Sequence, residues 1–156
     1  GRKTRDFINS DGSASYQNTS KRNDIVEIRA AQDSENIYIL LTAAEEITRA
    51  DGQNWMNVWL NVGGGQGYDF VINRSRGENR ANVERLTGES AQTVGEAAYA
   101  VSGRTIQFTL PRSLLGDITS LQLKATDNVD LLADIMALYT TGDSAPYGRL
   151  NYCFEL

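Results

Sequence analysis

The residues best suited to chemistry are aromatic and amide side chains in alternation. Trp55, Asn57, Trp59 and Asn61 share one face of a predicted strand, and Met56, Val58, Leu60 and Val62 share the other. The apolar set predicts the core-facing side, which places two indoles and two amides outside. Sugar rings present C–H patches that stack on indoles, and their hydroxyls need amide or carboxylate partners, so this composition suits a saccharide platform. The alternative left open by the residues is that one or both indoles pack beneath a loop or against a neighbouring domain. Farther along, Asp143, Tyr147 and Arg149 fall in a turn-rich loop and add a carboxylate, a ring and a guanidinium to the same list. Arg149 suits either an ion pair with Asp143 or a contact to ligand hydroxyls or a carboxylate.

A second cluster is acidic. Asp127, Asn128, Asp130, Asp134 and Asp143 lie at predicted strand ends and loops. Such an oxygen-rich set suits structural calcium, with Asp127, Asn128, Asp130 and Asp143 as its ligands, although Asp127-Asn128-Val129-Asp130 lacks the glycine and distal glutamate of an EF-hand. Acidic loops that hold no metal are the competing reading. Histidine is absent from the chain, which removes the Ser-His-Asp and Cys-His arrangements and the usual zinc ligands. Glycoside hydrolysis by paired carboxylates needs no histidine. Glu27, Glu84 and Glu96 lie on predicted strands but form no ordered acidic motif. The loop Gly63-Gly64-Gly65-Gln66-Gly67 lacks the Lys-Ser/Thr and following helix of a phosphate cradle, and reads as a strand connection. The chain therefore reads as non-catalytic.

The elements that must position these residues are strands. Period-two alternation predicts strands over 26–30, 37–42, 55–62, 68–73, 81–86, 95–101, 104–110, 121–126, 135–140 and 150–154. The segment 37–42 is apolar enough to be covered on both faces. Ser102-Gly103 is a two-residue hairpin connection, and Pro111 to Gly116 predicts one short helical turn. Many short strands without a long amphipathic helix predict an all-β, antiparallel β-sandwich of immunoglobulin- or jelly-roll-like two-sheet architecture.

With 156 residues, the chain fits one domain over 23–156, preceded by a loosely held polar segment over 1–22. The opening Gly1 without a methionine is expected of a piece excised from a larger protein. A net charge of −5 opposes non-specific nucleic-acid binding, and no apolar run reaches the ~20 residues of a membrane-spanning helix. The single Cys153 is expected to be buried and inert in its alternating apolar stretch.

Several segments in this order carry a resemblance: Asn23-Asp24-Ile25-Val26-Glu27, Asn54-Trp55-Met56-Asn57, Gly67-Tyr68-Asp69-Phe70-Val71-Ile72-Asn73-Arg74, Thr126-Asp127-Asn128 and Gly142-Asp143-Ser144-Ala145-Pro146. From about residue 20 to its end the chain resembles bacterial β-sandwich domains related to the family 9 carbohydrate-binding modules and the wider DOMON-like group. The resemblance implies a non-catalytic accessory domain of a polysaccharide-processing protein outside the cytoplasm. It implies poly- or oligosaccharides and other domains of the parent as partners, and structural calcium as the one expected cofactor. Haem, bound by one branch of that group, is not expected, because histidine is absent and Met56 and Met136 fall in apolar strand surroundings.

Overall fold

The computed structural model describes residues 22–88 and 90–156, Asn18, and the backbone of 6–9 and 12–15. The first two strands, β1 (Asp6–Asn9) and β2 (Gly12–Ser15), form a small antiparallel hairpin. How firmly the rest of 1–22 is held lies outside the described residues. Ten further strands follow: β3 (Ile25–Gln32), β4 (Asn36–Ala43), β5 (Asn57–Asn61), β6 (Phe70–Arg76), β7 (Arg80–Thr87), β8 (Ser90–Ser102), β9 (Thr105–Pro111), β10 (Ser120–Asp127), β11 (Asp143–Ala145) and β12 (Tyr152–Glu155). They make a 10-stranded antiparallel sheet in the order β11-β10-β5-β6-β7-β8-β9-β4-β3, with β12 sharing the β11 edge of β10. The sheet curls until β3 returns against β11 and β10. The expectation of an all-β antiparallel fold is met, by a nearly closed, barrel-like sheet whose hydrogen bonding runs in one continuous path.

Alternation explains the interior. In β4, Ile37, Ile39, Leu41 and Ala43 point inward and are fully buried, while Tyr38, Leu40 and Thr42 on the other face remain partly exposed. The expectation that 37–42 is covered on both faces is thus corrected: among the described residues, its outer face is only partly buried. Val58 and Leu60 of β5, Phe70 and Ile72 of β6, Ile106, Phe108 and Leu110 of β9, and Leu121, Leu123 and Ala125 of β10 complete the same core. Each large aliphatic or aromatic side chain so enclosed contributes about 1.5–3 kcal/mol relative to exposure. Among the described residues, no helix is long and apolar enough to cross a membrane.

The predicted hairpin forms, with its turn one residue further along than expected: Ser102 pairs with Thr105, and the loop is Gly103-Arg104, with Gly103 at φ 53°. The helical turn after Pro111 is a 3₁₀ turn at Arg112–Leu114. Residues 135–140 are not a strand: they contain the one-turn helix α1 (Ala137–Thr140), because this stretch crosses over the sheet and has no strand to pair with. Cys153 is exposed, contrary to expectation. It sits on the short edge strand β12, opposite Gln122, on the face away from the core.

Candidate ligand-binding cleft

The face of β5 opposite the core is not open. Residues 128–142, which connect β10 to β11, cross it as a roof. Val129, Leu131 and Leu138 of that roof enclose Trp59 and Val71, with Tyr68, Leu86 and Tyr139 packed around them. Trp59 is buried, and its indole Nε1–H donates to Thr126 Oγ1 at 2.8 Å. Lys124, directly opposite Trp59 on β10, is fully buried, and its Nζ donates to Pro146 O at 2.6 Å. Gly142 ends the roof at φ +57°, where a Cβ would lie 2.3 Å from Asp127 O.

Trp55 takes another path. Met56 has φ 45°, a left-handed kink that breaks the alternation before β5 begins, so Trp55 and Met56 both enter the main core. Trp55 Nε1–H donates to Thr48 O at 2.9 Å, and the Arg76 guanidinium lies 4.6 Å from its ring centroid. Trp55, Asn57, Trp59 and Asn61, expected on a solvent-facing platform, are therefore all buried. Loop packing over β5, and the kink before it, take both indoles out of reach of solvent.

The polar and aromatic groups that do converge lie at the lip of this roof. Asn61 folds the glycine-rich loop onto itself: its Nδ2–H₂ donates to Gly65 O at 2.7 Å and Gly67 O at 2.8 Å, and its Oδ1 accepts from Gly64 N–H at 3.0 Å. Asp69 Oδ2 accepts from Val62 N–H at 2.7 Å and Gly63 N–H at 2.9 Å. Gly64 and Gly67, at φ +68° and +98°, supply the left-handed steps that this closure needs. The loop is therefore a preformed wall.

Against this wall stands Tyr68, its ring 5.8 Å from that of Trp59 and its hydroxyl donating to Asn151 Oδ1 at 2.9 Å. Burial pushes the Tyr68 hydroxyl well above the usual tyrosine range, so it remains a donor. Asn151 in turn donates to Gln122 Oε1 at 3.1 Å. Tyr68 and Asn151, together with Asn61, Gln66, Ile135 and Arg149, line a cleft of about 530 Å³. On the other side of Tyr68 and Ile135 a smaller compartment of about 340 Å³ is walled by Leu86, Leu131 and Leu132 and reaches Trp59.

Of the residues singled out from sequence, Arg149 lies in the cleft. Tyr147 is half-buried in the same loop, edge-on to Tyr139 at 5.9 Å. Asp143 is elsewhere, buried on β11, where its Oδ2 accepts from Ile25 N–H at 2.8 Å. Sequence reasoning missed Tyr68, Gln66 and Asn151. The signal is the glycine-rich loop itself; alternation over 68–73 puts Tyr68 on one face with Phe70 and Ile72. The strand starts only at Phe70, so Tyr68 escapes its alternation and joins the outer cluster.

The members of the acidic set are divided among separate hydrogen-bond partners. Asp127 Oδ2 accepts from Arg22 Nε–H at 2.8 Å and its Oδ1 from Met56 N–H at 3.0 Å. Burial raises the Asp127 carboxyl above its ordinary value, against the opposing pull of Arg22. Asp130 is exposed and accepts from Ala133 N–H at 3.3 Å, and Asn128 sits in a left-handed turn at φ 58°. Among the described residues, no three His, Cys, Asp or Glu side chains gather as metal ligands. Of the strand glutamates, Glu84 is paired with Arg74 at 2.9 Å and Glu27 with Arg29 at 2.9 Å. Comparison with protein-family models, with curated proteins and with solved structures finds no match to this chain.

Proposed function

We propose that this domain is a non-catalytic saccharide-binding module, attached to a polysaccharide-processing protein outside the cytoplasm, and that its ligand binds in the cleft at Tyr68. The observation that carries the reading is the lining of that cleft. One aromatic ring, a side-chain amide at Gln66, the Asn151 amide and the Arg149 guanidinium face a space of about 530 Å³. That volume suits a small ligand, and the mix of one apolar ring face with several polar groups suits a polyhydroxylated one. Among the described residues no carboxylate lines the cleft, whereas a glycosidase needs an acid and a base there. We further read the curled sheet as a flattened two-layer sandwich, β3, β4, β9 and β8 facing β10, β5, β6 and β7 across the shared core. The partition rests on the core residues that both sets contribute.

The test uses Trp59, whose ring lies against Tyr68 beneath the cleft, as an internal reporter. Tryptophan emission is followed while oligosaccharides are titrated, with calcium and with a chelator. A saturable change that is lost in Tyr68→Ala and kept in Tyr68→Phe supports the reading, and a flat response across the panel overturns it.

A second reading, packing against another domain of the parent, is favoured by a separate observation. Leu150 is 70% exposed and Tyr152 48% exposed, both at the start of the β12 edge. The burial of both tryptophans is also what a packing domain leads one to expect.

A further inference from the structure

The cleft has a charge as well as a shape. Of its lining residues, Arg149 alone is ionised, and no acidic side chain joins it there. Arg149 is exposed, and among the described residues its guanidinium has no carboxylate partner; its Nη2 approaches Met136 Sδ at 3.9 Å. The amide of Gln66, in the same lining, likewise has no side-chain hydrogen bond among the described residues. Both amide N–H groups of Asn61, by contrast, are committed to the glycine loop, and one N–H of Asn151 to Gln122. The groups left available are thus a fork of guanidinium N–H donors, the Gln66 amide and one N–H of Asn151, beside the ring of Tyr68.

We infer that the saccharide recognised here is acidic, carrying a carboxylate on the sugar that reaches Arg149. This rests on the saccharide reading above. A neutral sugar would leave the guanidinium fork matched only to hydroxyls, whereas a uronic acid offers a planar carboxylate that accepts two parallel N–H donors. The net charge of −5 does not oppose this. At physiological salt the Debye length is about 8 Å, so carboxylates elsewhere on the surface are screened while Arg149 acts at contact. The C–H face of the same ring is left to stack on Tyr68, and its remaining hydroxyls to Gln66.

The experiment compares a short oligogalacturonide with its fully methyl-esterified form, which keeps the ring and linkage but removes the charge. Binding is measured by calorimetry and by Trp59 emission. The acid form is expected to bind about tenfold more tightly than the ester at low salt, with the advantage shrinking as sodium chloride is raised. Arg149→Gln is expected to erase the difference and Arg149→Lys to retain part of it. Because Arg149 is exposed and anchors nothing, both variants are expected to melt with the parent protein. Equal binding of acid and ester, unaltered by Arg149→Gln, would overturn the acidic preference and leave the saccharide reading standing. Failure of both forms, and of every neutral oligosaccharide, would overturn the saccharide reading and this inference with it.

Discussion

Asp127 and Asp143 stand directly opposite each other in the antiparallel pair β10-β11, both buried, and each carboxylate accepts from the backbone of a distant segment. Asp127 takes Met56 N–H, at the kink that sends Trp55 into the core, and Asp143 takes Ile25 N–H, at the start of β3. Between β3 and β11 the strand ladder is not continued. The side chain of Asp143 links the two strands across the line where the sheet closes.

Asp143→Ala is therefore expected to lower stability by about 2 kcal/mol, since it leaves a buried N–H without its charged acceptor. Asp143→Asn, which keeps one carbonyl oxygen, is expected to cost less. Urea unfolding of both variants measures this, and an unchanged midpoint in Asp143→Ala would refute the latch.

The carboxylates divide by pH signature. Burial raises the Asp127 pKa, so its contribution to stability is fully present below its unfolded value and is lost as pH rises through the raised folded value. Asp33 is the reverse. Bonds from Tyr38 O–H and from Glu35 and Asn36 N–H hold it below its ordinary value, so its contribution is present above that value and is lost as pH falls through the lowered one. Unfolding free energies between pH ~7 and ~3 are expected to show wild type gaining on Asp127→Asn as pH falls, and the deficit of Asp33→Asn shrinking. Parallel profiles would contradict both assignments.

Asn57 is fully buried, and neither atom of its amide has a hydrogen-bond partner among the described residues. A buried polar group in that position costs about 1–3 kcal/mol of desolvation. Asn57→Leu, close in volume and apolar, is expected to raise the melting temperature. A fall would show that the amide is bonded in solution.

Two glycines predict opposite tolerances. Gly142→Ala places a Cβ 2.3 Å from a backbone oxygen at a φ of +57°, so the cost is expected to exceed the ~1–2 kcal/mol of left-handed strain alone. At Gly95 the nearest atom is a methyl tip of Leu114, at 2.6 Å, which can swing aside. Gly95→Ala is expected to fold with a modest loss. Thermal melts of the pair decide it, and equal losses would refute the distinction.

What could be read from the sequence was local. The alternation of Val58 and Leu60 against Trp59 and Asn61 marks the two faces of β5, and Ser102-Gly103 marks the β8-β9 hairpin, because period and turn chemistry act over a few residues. The burial of Trp59 depends on Leu131 and Leu138, some seventy residues away, and no periodicity within β5 encodes that roof. Met56 carries no signal of its left-handed backbone, since the conformation is imposed by Asp127 Oδ1 accepting its N–H and Asn73 Nδ2 donating to its carbonyl at 3.2 Å. Arg149 was recognisable as a lone cation in a turn-rich loop. Tyr68 was not, because its exit from the β6 pattern follows from the fold of the Asn61 loop.

Both β11 and β12 pair with one edge of β10, the first at Ala125 to Asp127 and the second at Ser120 to Leu123. The segment between them, 146–151, is consequently moored at both ends to a single strand while its middle borders the cleft through Arg149 and Asn151. Such a segment is a natural graft site: its residues can be varied in a library, changing what the cleft selects, while the strands on either side keep their partners.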